Sequence, residues 1–115
     1  MADEKIQYLE KIYKAVANRN RLRIIKLLEN GSLCVCDIKR EIGTSQPSVS
    51  RHLSILKKAG LVCGWKKGEW VYYRIQKSSD DLITQILQQI FNTLKHEKIT
   101  GIRIKKNRCV NKHKK

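Results

Sequence analysis

No apolar run in this chain approaches the roughly 18–20 residues that a bilayer-spanning helix needs. Met1-Ala2-Asp3-Glu4-Lys5 does not open a signal peptide, so a cytoplasmic protein with no membrane partner is expected. The combinations that announce catalysis are missing too. There is no Ser/His/Asp order, no phosphate-binding loop and no pair of catalytic carboxylates, and the cysteines form no Cys-x-x-Cys beside a βαβ pattern. An enzyme is therefore not expected. Acid is scarce as well: ten Asp and Glu stand against 25 Lys and Arg, and the net charge of +15 favours a polyanionic partner and electrostatically steered encounter.

What is present fits one small domain. A chain of 115 residues has room for one modest core, and domains of this size often gain stability by oligomerising, so a homodimer is expected. Residues 1–97 read as the folded domain and 98–115 as a flexible basic tail. The tail carries eight Lys or Arg and no acid, which suits either a solvated end or a nucleic-acid contact; the domain keeps the remaining +7. The four cysteines, in a reducing compartment, read as free thiols, metal ligands or redox sensors rather than a disulfide framework.

Ile6, Leu9, Ile12, Tyr13 and Val16 recur at helical spacing, and Leu22, Ile24, Ile25, Leu27 and Leu28 follow, so two amphipathic helices open the chain. Asn18 is a plausible cap between them, and Asn30-Gly31 ends the second. Ser32 predicts the cap of a third helix over about Leu33 to Glu41, and Gly43 the turn after it. Ser45 or Thr44 caps a fourth helix with Pro47 in its first turn, where a missing N–H costs nothing. Short helix, glycine turn and capped helix make a helix-turn-helix. Leu61 to Trp65 and Trp70 to Ile75 are β-rich and joined by Lys66-Lys67-Gly68-Glu69, which predicts a hairpin. A last helix over about Ser79 to Lys95 carries Leu82, Ile83, Ile86, Leu87, Ile90, Phe91 and Leu94, a stripe broad enough to serve a partner chain together with the first helix. The expected fold is mainly α with a small β-hairpin, a dimeric winged helix-turn-helix of order α-α-α-α-β-β-α.

Two sets of residues carry chemistry. In a helix-turn-helix the second helix meets base edges while its flanks and the wing hold phosphates. Gln46 pairs bidentately with adenine; Arg51 suits guanine or phosphate; Ser45, Ser48, Ser50 and His52 suit either kind of contact. Lys57, Lys58, Lys66 and Lys67 are phosphate clamps. Trp65 and Trp70 are expected to pair and pack across the hairpin. The second set is Cys34-Val35-Cys36, whose thiolates select soft ions such as As(III), Sb(III), Cd(II), Pb(II), Cu(I) and Zn(II). On a regular helix, positions i and i+2 point about 200° apart. Joint binding by Cys34 and Cys36 is therefore expected to bend or unwind the start of the third helix. Asp37 reads as a helix-start acid.

Leu33-Cys34-Val35-Cys36-Asp37-Ile38, Thr44 to Leu53, Lys57-Lys58-Ala59-Gly60-Leu61-Val62 and Gly68 to Ile75 together resemble the ArsR/SmtB family of metal-responsive winged-helix repressors, and its arsenic-sensing branch in particular. The resemblance runs from about Tyr8 to Leu94. It implies an apo-repressor on operator DNA, released when As(III) or Sb(III) binds Cys34 and Cys36, with derepression of a resistance operon. Arsenic sensors of this type carry a third cysteine three residues after the pair; here that residue is Lys39, so a third protein sulfur would have to be Cys63 or Cys109. The cysteines that the cadmium- and lead-sensing relatives carry in an N-terminal extension have no counterpart in residues 1–33, and the zinc-sensing histidine pattern on the last helix is missing. A Cd-, Pb- or Zn-responsive repressor remains an alternative. So does a thiol redox or persulfide switch at the same pair, although a direct disulfide between such near neighbours is expected to be strained. A more distant alternative is a non-specific nucleic-acid-coating protein.

Overall fold

The computed structural model describes residues 2–98; Cys109 and the rest of the basic tail beyond Lys98 lie outside the described residues. Five helices and three strands follow in the order α1 (Ala2–Val16), α2 (Arg19–Leu27), β1 (Leu33–Cys34), α3 (Val35–Ile42), α4 (Gln46–Lys58), β2 (Val62–Lys67), β3 (Trp70–Ile75) and α5 (Asp81–Thr93). Asn18 caps α2 as expected, accepting the Arg21 N–H on its side-chain oxygen. A single 3-10 turn, Leu28–Asn30, closes that helix.

The chain after Gly31 departs from expectation. Leu33 and Cys34 are not helical: they pair antiparallel with Tyr73 and Tyr72, adding a third strand in the order β1-β3-β2. Main-chain pairing to β3 outweighs an extra helical turn here, so Ser32 is not the cap. Cys34 caps α3 instead, its sulfur accepting the Asp37 N–H at 3.3 Å. The C-terminal end behaves as the glycine predicts: Gly43 sits at φ 77, in the left-handed region that closes a helix without a Cβ penalty. Ser45 then caps α4 by accepting the Ser48 N–H, with Pro47 in the first turn.

The wing hairpin is tighter than expected, because Lys67 still pairs with Trp70 and only Gly68-Glu69 forms the loop. Lys66 and Lys67 are therefore strand residues. Gly64 faces the Tyr73 ring so closely that a Cβ there would lie 2.6 Å from Cε2.

All five helices and the sheet share one core. Ile12 from α1, Ile24 and Ile25 from α2, Ile38 from α3, Val49, Leu53 and Leu56 from α4, and Leu61 before β2 are fully buried, with Ile83, Ile86 and Leu87 of α5 beside them. Burying each such side chain contributes about 1.5–3 kcal/mol against exposure. This packing seats α3 against α4, with Cys34 and Cys36 at the junction of β1 and α3. The Tyr8 hydroxyl donates to Asp80, the cap of α5, joining the two terminal helices. Among the described residues no helix is long and apolar enough to cross a membrane.

Candidate inducer site and nucleic-acid interface

Cys34 is 1 % exposed and Cys36 half-buried. Cys34 has extended backbone, φ −79 and ψ 159, because it ends β1, whereas Cys36 is already in the first turn of α3. The strand-to-helix junction turns their Cβ vectors toward one another, with the Cα atoms 5.3 Å apart and the two sulfurs joined in a disulfide. Two expectations are corrected by this. The 200° divergence assumed both residues were helical, so no unwinding of α3 is needed to bring the thiols together. The direct disulfide, expected to be disfavoured in a pair read as free thiols, is for the same reason the bond that the structure contains.

Asp37 completes the cluster. Its carboxylate, the sulfur of Cys34 and the sulfur of Cys36 all lie within 4.8 Å of one another. Asp37 is buried in the first turn of α3, where an acid is favoured, and its Oδ1 accepts from Arg40 Nη1 at 2.7 Å. Two soft sulfurs and one hard oxygen already engaged by a guanidinium suit a thiophilic ion better than an oxygen-loving one. Cys63 is not part of this group: it lies half-buried in β2, opposite Arg74. Lys39, where a third sulfur was looked for, is exposed.

A cavity of about 360 Å³ opens beside the pair. Cys34 and Cys36 form one side, Gln46 and Ser50 of α4 a second, and Trp70 and Tyr73 of β3 a third. The thiols and the front of the fourth helix thus share one space.

On the helix surface Gln46, Ser50 and Arg51 are exposed and Ser48 is half-buried. Ser45 is exposed but its hydroxyl oxygen is occupied as the helix cap. His52 turns inward: its Nδ1 lies 3.1 Å from Arg21 Nη1, and burial, then the charges of Arg21 and Arg51, hold its pKa below the ordinary imidazole value. Arg21 in turn donates to the carbonyl oxygens of Ala15 and Lys14, so it ties the end of α1 to the middle of α4. Nothing in the linear pattern marks Arg21. Lys57 and Lys58 at the end of α4, and Lys66 and Lys67 on β2, are all exposed. Trp65 stacks on Tyr72 with ring centroids 5.9 Å apart, and Arg74 lies 5.8 Å from the Trp65 centroid, so this ring packs within the wing as expected. Trp70 lines the cavity.

Residues 18–63 match the family described as bacterial regulatory protein, arsR family. The chain is 46 % identical over 88 residues to an uncharacterised HTH-type transcriptional regulator of Methanocaldococcus jannaschii, covering 76 % of this chain and 96 % of that one. It is 37 % identical over 92 residues to the arsenical resistance operon repressor of Escherichia coli, covering 79 % and 78 %. In three dimensions it is similar to a homodimeric winged helix-turn-helix DNA-binding domain of Mycobacterium bovis, with a TM-score of 0.67 and 25 % identity over 84 % of this chain and 92 % of that one. Fold, helix-turn-helix and relatives agree: the chain belongs to the ArsR family of bacterial regulatory proteins, DNA-binding transcriptional regulators built on a winged helix-turn-helix.

Proposed function

We propose that this protein represses transcription by holding operator DNA in its metal-free state and releases it when As(III) or Sb(III) is bound by Cys34 and Cys36, switching on a resistance operon. The observation that carries the reading is the convergence of the two sulfurs at the start of α3. A trivalent thiophile supplies two strong bonds to sulfur that neither water nor DNA can replace. The protein's part is mechanical. Cys34 is anchored in the sheet by its pairing with Tyr72, while Cys36 moves with α3, and Ile38 of α3 packs in one core with Val49 and Leu53 of α4. A change in the Cys34 to Cys36 vector is thereby passed to the helix that carries Gln46, Ser48, Ser50 and Arg51. Coupling between such sites is typically about 1–3 kcal/mol and acts equally in both directions.

On the DNA side, Gln46, Ser50 and Arg51 meet base edges, and Lys57, Lys58, Lys66 and Lys67 hold phosphates. Ser45 and His52 hold the helix, through the cap and through Arg21, and Ser48, half-buried beside them, suits a base or phosphate contact. Symmetric dimers reading inverted half-sites are the usual solution for so small a reading surface. Ile6, 60 % exposed, and Tyr13, 51 % exposed, on α1, with half-buried Leu82, Ile90 and Phe91 on α5, form the surface for a second copy. A monomeric mass at micromolar concentration by sedimentation would remove that part.

The test is fluorescence anisotropy of an operator fragment with reduced protein, titrated with arsenite, antimonite, cadmium, lead and zinc. Release by arsenite or antimonite that is lost in Cys34→Ser/Cys36→Ser establishes the reading. Release by cadmium or lead alone replaces it with a divalent-metal repressor.

A second reading is favoured by the same closeness of the sulfurs. Cys34 and Cys36 would lose two electrons and two protons to a peroxide, which is reduced to water or alcohol, forming one S–S bond. Loss of two mass units confined to the Cys34–Cys36 peptide after peroxide, with DNA release, supports it; an unmodified pair ends it.

A further inference from the structure

Two protein sulfurs leave a trivalent ion one bond short, and among the described residues the cluster offers no third sulfur: its only other member is Asp37, held by Arg40. The cavity of about 360 Å³ lies directly against both cysteines. Val35, Val71, Trp70 and Tyr73 give one part of its wall apolar and aromatic surface, Gln46 and Ser50 make another part polar, and Glu69 at the hairpin turn disfavours an anionic occupant. An apolar cavity of about 150 Å³ already takes benzene, so a ring fits here with room to spare.

We propose that this cavity is a subsite of the inducer site, receiving a neutral apolar substituent up to aryl size on a trivalent arsenical bound across Cys34 and Cys36. The assignment rests on the proposed function above and adds to it a ligand class and a mode of release. Gln46 and Ser50 line the cavity and are also the residues offered to base edges. A substituent lodged between them and Trp70 occupies space on the DNA side of the fourth helix. Release then has a steric component besides the pull on α3, and a larger substituent releases DNA more effectively.

The probe is phenylarsine oxide beside arsenite. In its reaction two As–S bonds form, the arsenic–oxygen bond is lost, and the oxygen leaves as water with the two thiol protons. Arsenic stays trivalent throughout, so no oxidant or reductant is needed. Filling the cavity from the protein side is the perturbation: Val71→Phe, with Val35→Phe as the second variant should the first fail to fold by circular dichroism. Adduct mass, Trp emission on binding, and operator anisotropy are measured on the full reduced chain. The ratio of variant to wild type cancels the intrinsic taste of any dithiol for the aryl compound.

The expected result is a loss of phenylarsine oxide affinity of at least about tenfold in the filled variant, against less than about threefold for arsenite. Equal losses for both probes, or none for phenylarsine oxide, would overturn the subsite while leaving arsenite-dependent repression intact. If neither probe adds to the chain, or Cys34→Ser/Cys36→Ser responds as wild type does, the inducer reading itself falls and the subsite with it.

Discussion

Glu41 lies on the inner face of α3, 2 % exposed, with neither carboxylate oxygen hydrogen-bonded to any group among the described residues. Replacing it by methionine keeps the length of the side chain and removes both polar atoms. An unpartnered polar group in the interior costs about 1–3 kcal/mol by mutational measures, and an apolar side chain of similar volume at such a position removes that cost. Glu41→Met is therefore expected to stabilise the fold by about 1–3 kcal/mol. In a domain of this size each kcal/mol moves Tm by about 4–8 °C, so the melting curve should rise by at least about 4 °C. The assay is thermal unfolding by circular dichroism at one fixed protein concentration, since a dimer's Tm depends on it. Glu97→Met, at an exposed site, serves as the control and should stay within about 0.5 kcal/mol of the parent. An unchanged or lower Tm for Glu41→Met would refute the reasoning, because it would mean that the carboxylate is bonded in the folded protein. A gain confined to stability would also separate Glu41 from the switch; a simultaneous loss of arsenite response would place the carboxylate within it.

Cys34→Ser should fold as well as the parent, within about 1 kcal/mol in urea unfolding, because serine is a preferred cap and its oxygen can accept the Asp37 N–H; Cys34→Ala should be the less stable of the two by about 1 kcal/mol. His52 has a depressed folded pKa, so the neutral ring contributes stability that is complete above the ordinary value of about 6.5 and is lost as pH falls through that value and then through the folded one. Stability measured between about pH 7 and 5 should fall more steeply in the parent than in His52→Asn, and an imidazole NMR titration placing His52 at or above the ordinary value would contradict the burial and the Arg21 contact. Gly64→Ala should cost about 1–3 kcal/mol, since the new Cβ meets the Tyr73 ring at 2.6 Å; an unaltered stability would show that the ring moves freely and is no fixed wall of the cavity.

Much of this protein can be read along the chain because its signals are local. Helical spacing of Ile12, Ile24, Ile25, Leu53 and Ile86 picks out the buried face of four helices without reference to anything distant. Asn18, Ser45 and Gly43 act within three or four residues of themselves, so their capping and turn roles were open to sequence reading. The spacing of the two cysteines offered a candidate thiophilic site by chemistry alone, and the helix-turn-helix pattern offered Gln46, Ser50 and Arg51 as candidate DNA contacts.

Tertiary structure decided what depends on contacts between distant segments. Whether Cys34 was helical turned on β3, since Tyr72 and Tyr73 draw Leu33 and Cys34 into the sheet from about forty residues away along the chain. That pairing, absent from any local propensity, is why the sulfurs converge where a helix would have parted them. The Arg21 contact with His52, the unpartnered carboxylate of Glu41 and the cavity between the thiols and Gln46 have the same origin. Each needs segments that are adjacent only once the core has closed. Local propensity governs where the elements begin and end; the packing of α3 between the sheet and α4 governs what the thiols can reach.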